Sequence, residues 1–266
     1  FFTGIGKAKI VMVATMTAMV VNVVLDYILI YGKVGLEPLG VQGAALATVL
    51  GNVSALLILF AAYFGKQHRN AFDTLHSFRF DKTIMMKLLR YGYPAGLEVF
   101  LCFVAFFCMT LMFQSQGAAE ATATTLMFNW DMVSYIPLLG IEIAVTSLAG
   151  RYMGAGQPQR AHRAAKSAIR VGLFYSVIVL VLFVGIPEVL VRVFHPGTPD
   201  PVFESAVPMA KTMIRLASLY VIAQTIAVAF IGTLRGAGDT FYTMMASVIM
   251  NWSFLPIQFV ALYVFG

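Results

Sequence analysis

Three carboxylic acids, Glu98, Asp131 and Glu142, lie inside two apolar stretches of the sequence. A carboxylate at the depth of a hydrocarbon core is unfavourable unless it faces water, a cation or a partner. No Lys or Arg occurs between Tyr93 and Gly150 to neutralise these acids. We therefore expect them to be protonated, hydrated or bound to a cation, and each of these is a working state of an ion-coupled transporter.

A proline lies close to the first of these acids. Pro94 precedes Glu98 by four residues, and a proline inside a helix frees a backbone carbonyl and kinks the chain. We expect the kink to open room for an ion or a water molecule beside Glu98. The alternative is a structural carboxyl that is hydrogen-bonded to a neighbouring helix.

The second acid, Asp131, has polar neighbours. Asn129 and Ser134 lie close to it in the sequence, and Pro137 follows as a second expected kink. Oxygen atoms from Asn, Asp and Ser suit Na⁺ or a hydrated cation. We interpret Asp131 as a coupling residue with Asn129 and Ser134 in support, and a protonated hydrogen-bonding group is the alternative.

The spacing of the acids predicts how they are arranged. Asp131 and Glu142 are eleven residues apart, which is about three helical turns, so they share a face to within about 20°. Glu98 and Glu142 each lie about 9 to 12 Å from the same end of adjacent spans. Two carboxylates at one depth can share a proton, so Glu142 is the third candidate coupling residue, and a helix–helix hydrogen bond is its alternative role.

The composition indicates a polytopic membrane protein. The chain has 266 residues, of which 60% are hydrophobic and 11% charged, and its mean hydropathy is +0.84. Soluble domains have roughly 25% charged residues. The net charge of +6 does not indicate nucleic acid, because the basic residues lie between apolar runs. Cys102 and Cys108 fall in one apolar run, so we expect no disulfide, and the start at Phe1 without Met suggests a fragment.

The apolar runs predict an all-α integral membrane protein, because each run reaches the roughly 20 residues that cross a bilayer as a helix. The seven predicted spans are residues 10–31, 42–64, 93–113, 121–150, 171–194, 209–233 and 240–265. The polar stretch at residues 151–170 is expected to form a cytoplasmic surface helix rather than a binding site.

The basic residues are distributed unequally between the two ends of the spans. Of the 18 Lys and Arg residues, 14 fall at one end of the spans and 4 at the other. The smaller set is Lys33, Arg192, Lys211 and Arg215, and the larger set includes Arg235. Cytoplasmic loops carry the excess of Lys and Arg. We therefore expect residue 1 to be cytoplasmic and residue 266 external.

A weak internal repeat relates the first and last spans. Its matched residues, at a constant offset, are Gly4, Gly6 and Met12 with Gly236, Gly238 and Met244. A repeat of this period indicates six helices with the same orientation, which is a known transporter design. The alternative is that Gly-x-Gly is a common turn before a helix.

Several stretches resemble the multidrug and toxic compound extrusion (MATE) family of cation-coupled exporters. They are NVVLDYILIYG, GVQGAALAT, FRFDKTIMMKLLRYGYPAGLE, IPLLGIEIAVTSLAGRYMGAG and GTLRGAGDT, in this order. The resemblance implies a polytopic helix bundle that belongs to a two-lobe (six plus six) transporter, with this chain as helices five to eleven of twelve. Residues 1–70 would end the N-lobe, residues 71–92 would form the cytoplasmic linker, and residues 93–266 would form most of the C-lobe.

The same resemblance concerns the coupling ion. Glu98 matches a Glu of the family's C-lobe cation site. Gln224 lies eleven residues before Arg235, where sodium-coupled relatives carry an Asp, and an amide can coordinate an ion but cannot titrate. We therefore expect Asp131 to serve as the second acid, with H⁺ coupling favoured over Na⁺. The alternative is Na⁺ bound at Glu98 and Asp131. No other metal and no cofactor are expected.

The leading hypothesis is a secondary antiporter of the inner (plasma) membrane, not an enzyme, that exports organic cations or drugs in exchange for H⁺ or Na⁺. Its expected partners are cationic small molecules and the lipid bilayer, without nucleic acid, and the full-length protein is expected to be monomeric. One alternative is a lipid-linked glycan flippase of the same superfamily, which should carry basic residues in its cavity. The others are an intramembrane carboxylate enzyme and a fragment that is inactive alone.

Overall fold

The computed structural model describes residues 1–33, 35, 37–72, 80–195 and 200–263. It divides the chain into two compact units, Phe1–Lys82 and Thr83–Gly266. Residues 73–79 of the predicted linker lie outside the described residues, as do residues 264–266, which include the end of the last predicted span.

The first unit is a pair of long helices followed by a short one. They are α1 (Ala8–Tyr31), α2 (Gly40–Phe64) and α3 (Lys66–Phe72). Small residues of α2 let the two long helices approach closely: a Cβ atom on Gly43 would lie 2.8 Å from the Leu29 carbonyl, and one on Gly51 would lie 2.9 Å from the Ala18 oxygen. Small residues are the usual contacts between helices in a bilayer, where burial of apolar side chains cannot drive association.

The second unit contains the remaining described helices. They are α4 (Lys82–Gln114), α5 (Ala118–Gly154), α6 (Pro158–Gly185), α7 (Pro187–Arg192), α8 (Pro201–Ala237) and α9 (Thr240–Tyr263). The pair α5 and α8 makes the most extensive contact, and α6 packs against both. Leu138, Ile214 and Val221 are fully buried in the apolar core that these helices share with α7.

The predicted seven-span, all-α class is confirmed. Within the described residues, seven helices are long and apolar enough to cross a membrane, by length and composition, and α3 and α7 are the short ones. The predicted bounds of the fifth span, residues 171–194, were wrong, because the corresponding helix α6 begins at Pro158 and ends at Gly185. Proline is well tolerated in the first turn of a helix, and Pro187 interrupts the helix at the other end.

The predicted surface helix at residues 151–170 is also wrong. These residues form the last turn of α5 and the first turns of α6, on either side of a short turn at residues 155–157. The charged residues extend the membrane helices beyond their apolar parts and do not form a separate element. Hydropathy marks the part of a helix that lies in lipid and gives no signal for such an extension.

The internal repeat has a structural counterpart. Gly6 and Gly238 both have positive φ, 78° and 94°, a conformation that glycine adopts without strain. Each lies two residues before a helix, because α1 begins at Ala8 and α9 begins at Thr240. Both helices are thus preceded, at the same spacing, by a glycine with positive φ.

Polar contacts fix the register between α4 and α9. The four contacts are Trp252 Nε1 to the Leu101 oxygen at 3.2 Å, Asn251 Nδ2 to Cys102 Sγ at 3.6 Å, Gln258 Nε2 to the Met109 oxygen at 3.2 Å, and Ser115 Oγ to the Tyr263 hydroxyl at 2.8 Å. The residue numbers rise together along both helices, so α4 and α9 are parallel. The same offset puts Ser247 level with Glu98.

Candidate functional site

The candidate site lies where α5 and α8 approach each other most closely. Gly232 and Gly236 form a Gly-x-x-x-Gly pattern on α8. A Cβ atom on Gly232 would lie 2.8 Å from the backbone oxygen of Glu142, and one on Gly236 would lie 2.8 Å from the Ala149 Cβ atom. This close approach of the backbones brings Arg235 beside Glu142.

Arg235 forms ion pairs with two of the three acids. Its Nη2 lies 2.8 Å from Glu98 Oε1, and its Nη1 contacts Glu142 Oε1. The Glu98 and Glu142 side chains are 5% and 10% exposed, and the Arg235 side chain is 25% exposed. We call these three residues the inner cluster. The cluster therefore contains two carboxyl groups and a single guanidinium.

The expectation that these acids have no basic partner is therefore wrong for Glu98 and Glu142. The sequence assigns Arg235 to the turn after the sixth span, but α8 continues to Ala237, so Arg235 lies in the last turn of this helix and reaches Glu98 and Glu142. The alternative role, a bond to a neighbouring helix, is present for both acids. The expected closeness of Glu98 and Glu142 also agrees with the structure, since both bind the same guanidinium.

The inner cluster retains unused hydrogen-bonding capacity. Within the part of the chain that the structure describes, Glu98 Oε2 and Arg235 Nε of the cluster are buried without a hydrogen-bond partner. Outside the cluster, the same is true of Ser247 Oγ and Gln224 Oε1. Buried polar atoms normally have partners. Glu98 Oε1 makes the ion pair with Arg235, so Oε2 is the oxygen of this carboxylate that is left without a partner among the described residues.

Asp131 belongs to a separate pair. The Tyr220 hydroxyl of α8 donates a hydrogen bond to Asp131 Oδ1. The Ser134 hydroxyl donates to the Asp131 backbone oxygen at 2.8 Å, and the Asn129 amide donates to the Thr125 oxygen at 2.8 Å. Both expected supporting side chains therefore donate to their own helix and not to the carboxylate. We call Asp131 and Tyr220 the outer pair.

The candidate acids thus fall into two groups, and α5 contributes one acid to each. Asp131 and Glu142 both reach α8, and eleven residues of helix separate them by about 16 Å. The structure brings Glu98 and Glu142 together, and it keeps Asp131 apart from them. Among the described residues, no three His, Cys, Asp or Glu side chains converge to hold a metal ion.

Both prolines lie inside continuous helices. Pro94 is buried within α4, and Pro137 lies within α5. The helices continue through both positions, and the kinks expected there stay a prediction.

Arg235 and Tyr220 were missed as site residues. Each faces a carboxylate that is remote in sequence, so no local pattern connects the partners. One usable signal was present for Arg235, because the Gly-x-x-x-Gly pattern around it predicts a close helix contact. No comparable signal marks Tyr220 among the many aromatic residues.

Seven helices of membrane-spanning length among the described residues, with ionic groups buried between them, are typical of a multi-pass α-helical membrane protein. The fold is similar to that of a MOP superfamily transporter from Pyrococcus furiosus, with a TM-score of 0.84 and 21% identity over 97% of this chain and 56% of that one. The family model MatE matches residues 94–260. The chain belongs to the MatE family, as its resemblance to that family predicts.

Curated relatives agree with this assignment. The chain is 28% identical over 97% of its length to a probable multidrug resistance protein NorM of Thermotoga maritima, and it covers 54% of that protein. It is 29% identical over 94% of its length to the probable NorM of Pasteurella multocida, and it covers 53% of that protein. The chain therefore spans about half the length of the relatives it matches.

Proposed function

We propose that this chain forms the ion-coupled part of a secondary antiporter that exports organic cations or drugs in exchange for H⁺ or Na⁺. The observation that carries the proposal is the inner cluster, in which two buried carboxylates face a single guanidinium. One negative charge is left over at membrane depth. A bound proton or monovalent cation would neutralise it, and that neutral state differs from the charged one in its interaction with lipid and substrate.

The leftover charge provides a basis for exchange. A coupling ion at Glu98 Oε2 and a cationic substrate in the cavity would both be attracted to the same charge. If the coupling ion and the substrate each bind best to a different conformation of the protein, binding of the coupling ion weakens binding of the substrate, and the reverse also holds. The curated relatives are named probable multidrug resistance proteins, which supports drugs as the substrates.

We favour H⁺ over Na⁺ as the coupling ion. Arg235 already holds a positive charge within 2.8 Å of Glu98, so a second cation at the same carboxylate meets repulsion that is strong in a poorly screened interior. A proton needs only one oxygen and no further ligands. Gln224 also stands where the resemblance places an Asp in sodium-coupled relatives, so the acid of that sodium site is replaced by an amide.

The outer pair has a supporting role in this proposal. Asp131 lies on the same face of α5 as Glu142, nearer the predicted external end. A coupling ion entering from outside would meet Asp131 and the Tyr220 hydroxyl first and the inner cluster second. Ser134 and Asn129 would shape the helix around Asp131 through their bonds to backbone oxygens.

The proposed architecture has two lobes, with residues 1–70 ending the N-lobe, residues 71–92 forming the linker and residues 93–266 contributing to the C-lobe. The proposed location is the inner membrane, with residue 1 in the cytoplasm, because the basic residues are concentrated at that end of the spans. The geometry favours this antiporter over a lipid-linked glycan flippase. A flippase would need basic side chains that are available to bind phosphate, whereas Arg235 is paired with two acids.

The test is transport by the reconstituted transporter that contains this chain, under an imposed pH or Na⁺ gradient. We expect Glu98→Gln to abolish export of a lipophilic cation and Asp131→Asn to weaken it. Glu204→Gln is the matched control, because its carboxylate is 64% exposed in the first turn of α8, and it should export at the wild-type rate. Wild-type export by Glu98→Gln under both gradients would show that Glu98 is structural.

The proposed orientation has its own test. Gln159 lies in the first turn of α6 and is exposed. A cysteine introduced by Gln159→Cys should resist a membrane-impermeant reagent in intact cells and react after the cells are opened. Labelling from outside in sealed cells would contradict the orientation.

A further inference from the structure

A groove that no transport step uses runs between the end of α5 and the start of α6. Its volume is about 560 Å³. Its lining divides into apolar residues, which include Ile141, Leu148 and Val171, and a polar group, which includes Tyr152, Arg160 and Arg163. The groove lies wholly within the second unit and is separate from the inner cluster.

The polarity of the groove changes along its length. Helices α5 and α6 are antiparallel on either side of the short turn at residues 155–157. Tyr152 and Arg160 therefore lie at the turn end, and Ile141 and Val171 lie at the deep end. The eleven residues from Ile141 to Tyr152 span about 16 Å of helix, which is close to the roughly 15 Å of hydrocarbon in one leaflet.

The polar end carries unpaired positive charge. No acidic residue occurs between Glu142 and Glu188 in the sequence, whereas five basic residues do. Arg160 and Arg163 are exposed, and among the described residues neither has an ion-pair partner. Under the proposed topology this end lies at the cytoplasmic surface, where the leaflet carries anionic lipids.

We propose that this groove binds one anionic phospholipid of the cytoplasmic leaflet. The lipid phosphate is held by the guanidinium groups of Arg160 and Arg163, whose planar forks suit phosphate oxygens. The Tyr152 hydroxyl is a further donor at the same end. An acyl chain lies along the apolar side chains toward Ile141, so the groove matches both parts of the lipid at the depth where each is found.

The experiment measures the lipid that is retained by the purified transporter containing this chain. The protein is reconstituted in nanodiscs of phosphatidylglycerol and phosphatidylcholine, released in mild detergent and examined by native mass spectrometry. The test variant is Arg160→Gln/Arg163→Gln. The matched control is Lys166→Gln/Arg170→Gln, which removes the same charge from the same helix at positions that do not line the groove.

We expect the test variant to retain about tenfold less phosphatidylglycerol than the wild type, since two basic side chains contribute roughly this much or more at an anionic surface. The control variant should retain the wild-type amount. Equal losses in both variants would overturn the proposal in favour of general attraction to the surface. Unchanged retention in both would overturn it as well.

A second variant separates the groove from its charges. Ala164→Phe fills the groove and keeps both arginines, so it should also reduce retention of phosphatidylglycerol. Inorganic phosphate added at high concentration should not displace the lipid, because it lacks the acyl chain. If Ala164→Phe retains the wild-type amount of lipid, or if a photoreactive residue at Leu148 captures protein instead of lipid, the groove is not a lipid site.

Discussion

Replacement of Arg235 by glutamine tests the inner cluster most directly. The substitution leaves Glu98 and Glu142, whose side chains are only 5% and 10% exposed, facing each other without a positive charge. Removal of one partner from a buried ion pair typically destabilises a protein by about 3–5 kcal/mol, because the remaining charge has lost water and gained nothing. We expect Arg235→Gln to lower the free energy of unfolding by about this amount.

The assay is unfolding of the transporter that contains this chain, by titration with a denaturing detergent at neutral pH. Arg215→Gln is the control, because Arg215 lies on the same helix and is exposed, and surface substitutions usually change stability by less than about 0.5 kcal/mol. If Arg235→Gln is as stable as Arg215→Gln, the ion pairs do not contribute and the description of the inner cluster is wrong.

A neutral triple variant sharpens the conclusion. In Glu98→Gln/Glu142→Gln/Arg235→Gln no buried charge remains, so most of the loss seen in Arg235→Gln should be regained, since a buried ionic group can often be replaced as a whole at little cost. A triple variant less stable than Arg235→Gln would refute the reasoning that uncompensated carboxylates cause the loss. It would indicate that the guanidinium mainly packs.

Three further predictions follow from contacts elsewhere in the second unit. Gly236→Ala should destabilise the protein by about 1–3 kcal/mol, because the added methyl group would overpack the contact with α5. Gly140→Ala is the control and should leave the stability unchanged, because its methyl group would meet nothing within 4 Å. Unfolding in a denaturing detergent measures both variants. Tyr220→Phe should lower the free energy of unfolding by about 1–3 kcal/mol, because the Asp131 carboxylate loses the hydrogen bond from the Tyr220 hydroxyl. Unchanged stability in the same assay would contradict this prediction. The hydrogen bond from Lys211 holds the pKa of Glu188 below its usual value of 4.5. Because the folded-state pKa is lowered, the contact stabilises the protein fully above the ordinary pKa of 4.5, and this stabilisation is lost as the pH falls through the lowered pKa. Hydrogen exchange in α7 should therefore increase in acid. Glu188→Gln should remove this pH dependence.

The fold was largely predictable from the sequence, because a bilayer leaves few choices for the backbone. Every backbone polar group must be satisfied within the segment, so an apolar run of sufficient length becomes a helix. The helix ends were less predictable. Pro158 begins α6 well before the predicted fifth span, because a charged helix outside the lipid has no hydropathy signal.

The site was predictable only in part, and the reason is again physical. An acid in an apolar run stands out because of its desolvation, so Glu98 and Glu142 were identified from residue type alone. The partner of a buried acid does not stand out, because Arg235 lies in the last turn of α8 and resembles an ordinary basic residue at a helix end. Only the packing of α5 against α8 assigns it to the acids.

The presence of Arg235 changes what the acids require. Without it, two adjacent carboxylates would need two positive charges to become neutral in a poorly polarisable interior. With it, they need one, and Glu98 Oε2 is a buried oxygen without a partner among the described residues. We therefore expect the inner cluster to take up a single H⁺ or monovalent cation in each cycle. If the inner cluster carries one negative charge that Arg235 does not neutralise, it can bind either one coupling ion or one singly charged cationic substrate. Exchange of the one for the other then leaves no uncompensated charge in the membrane.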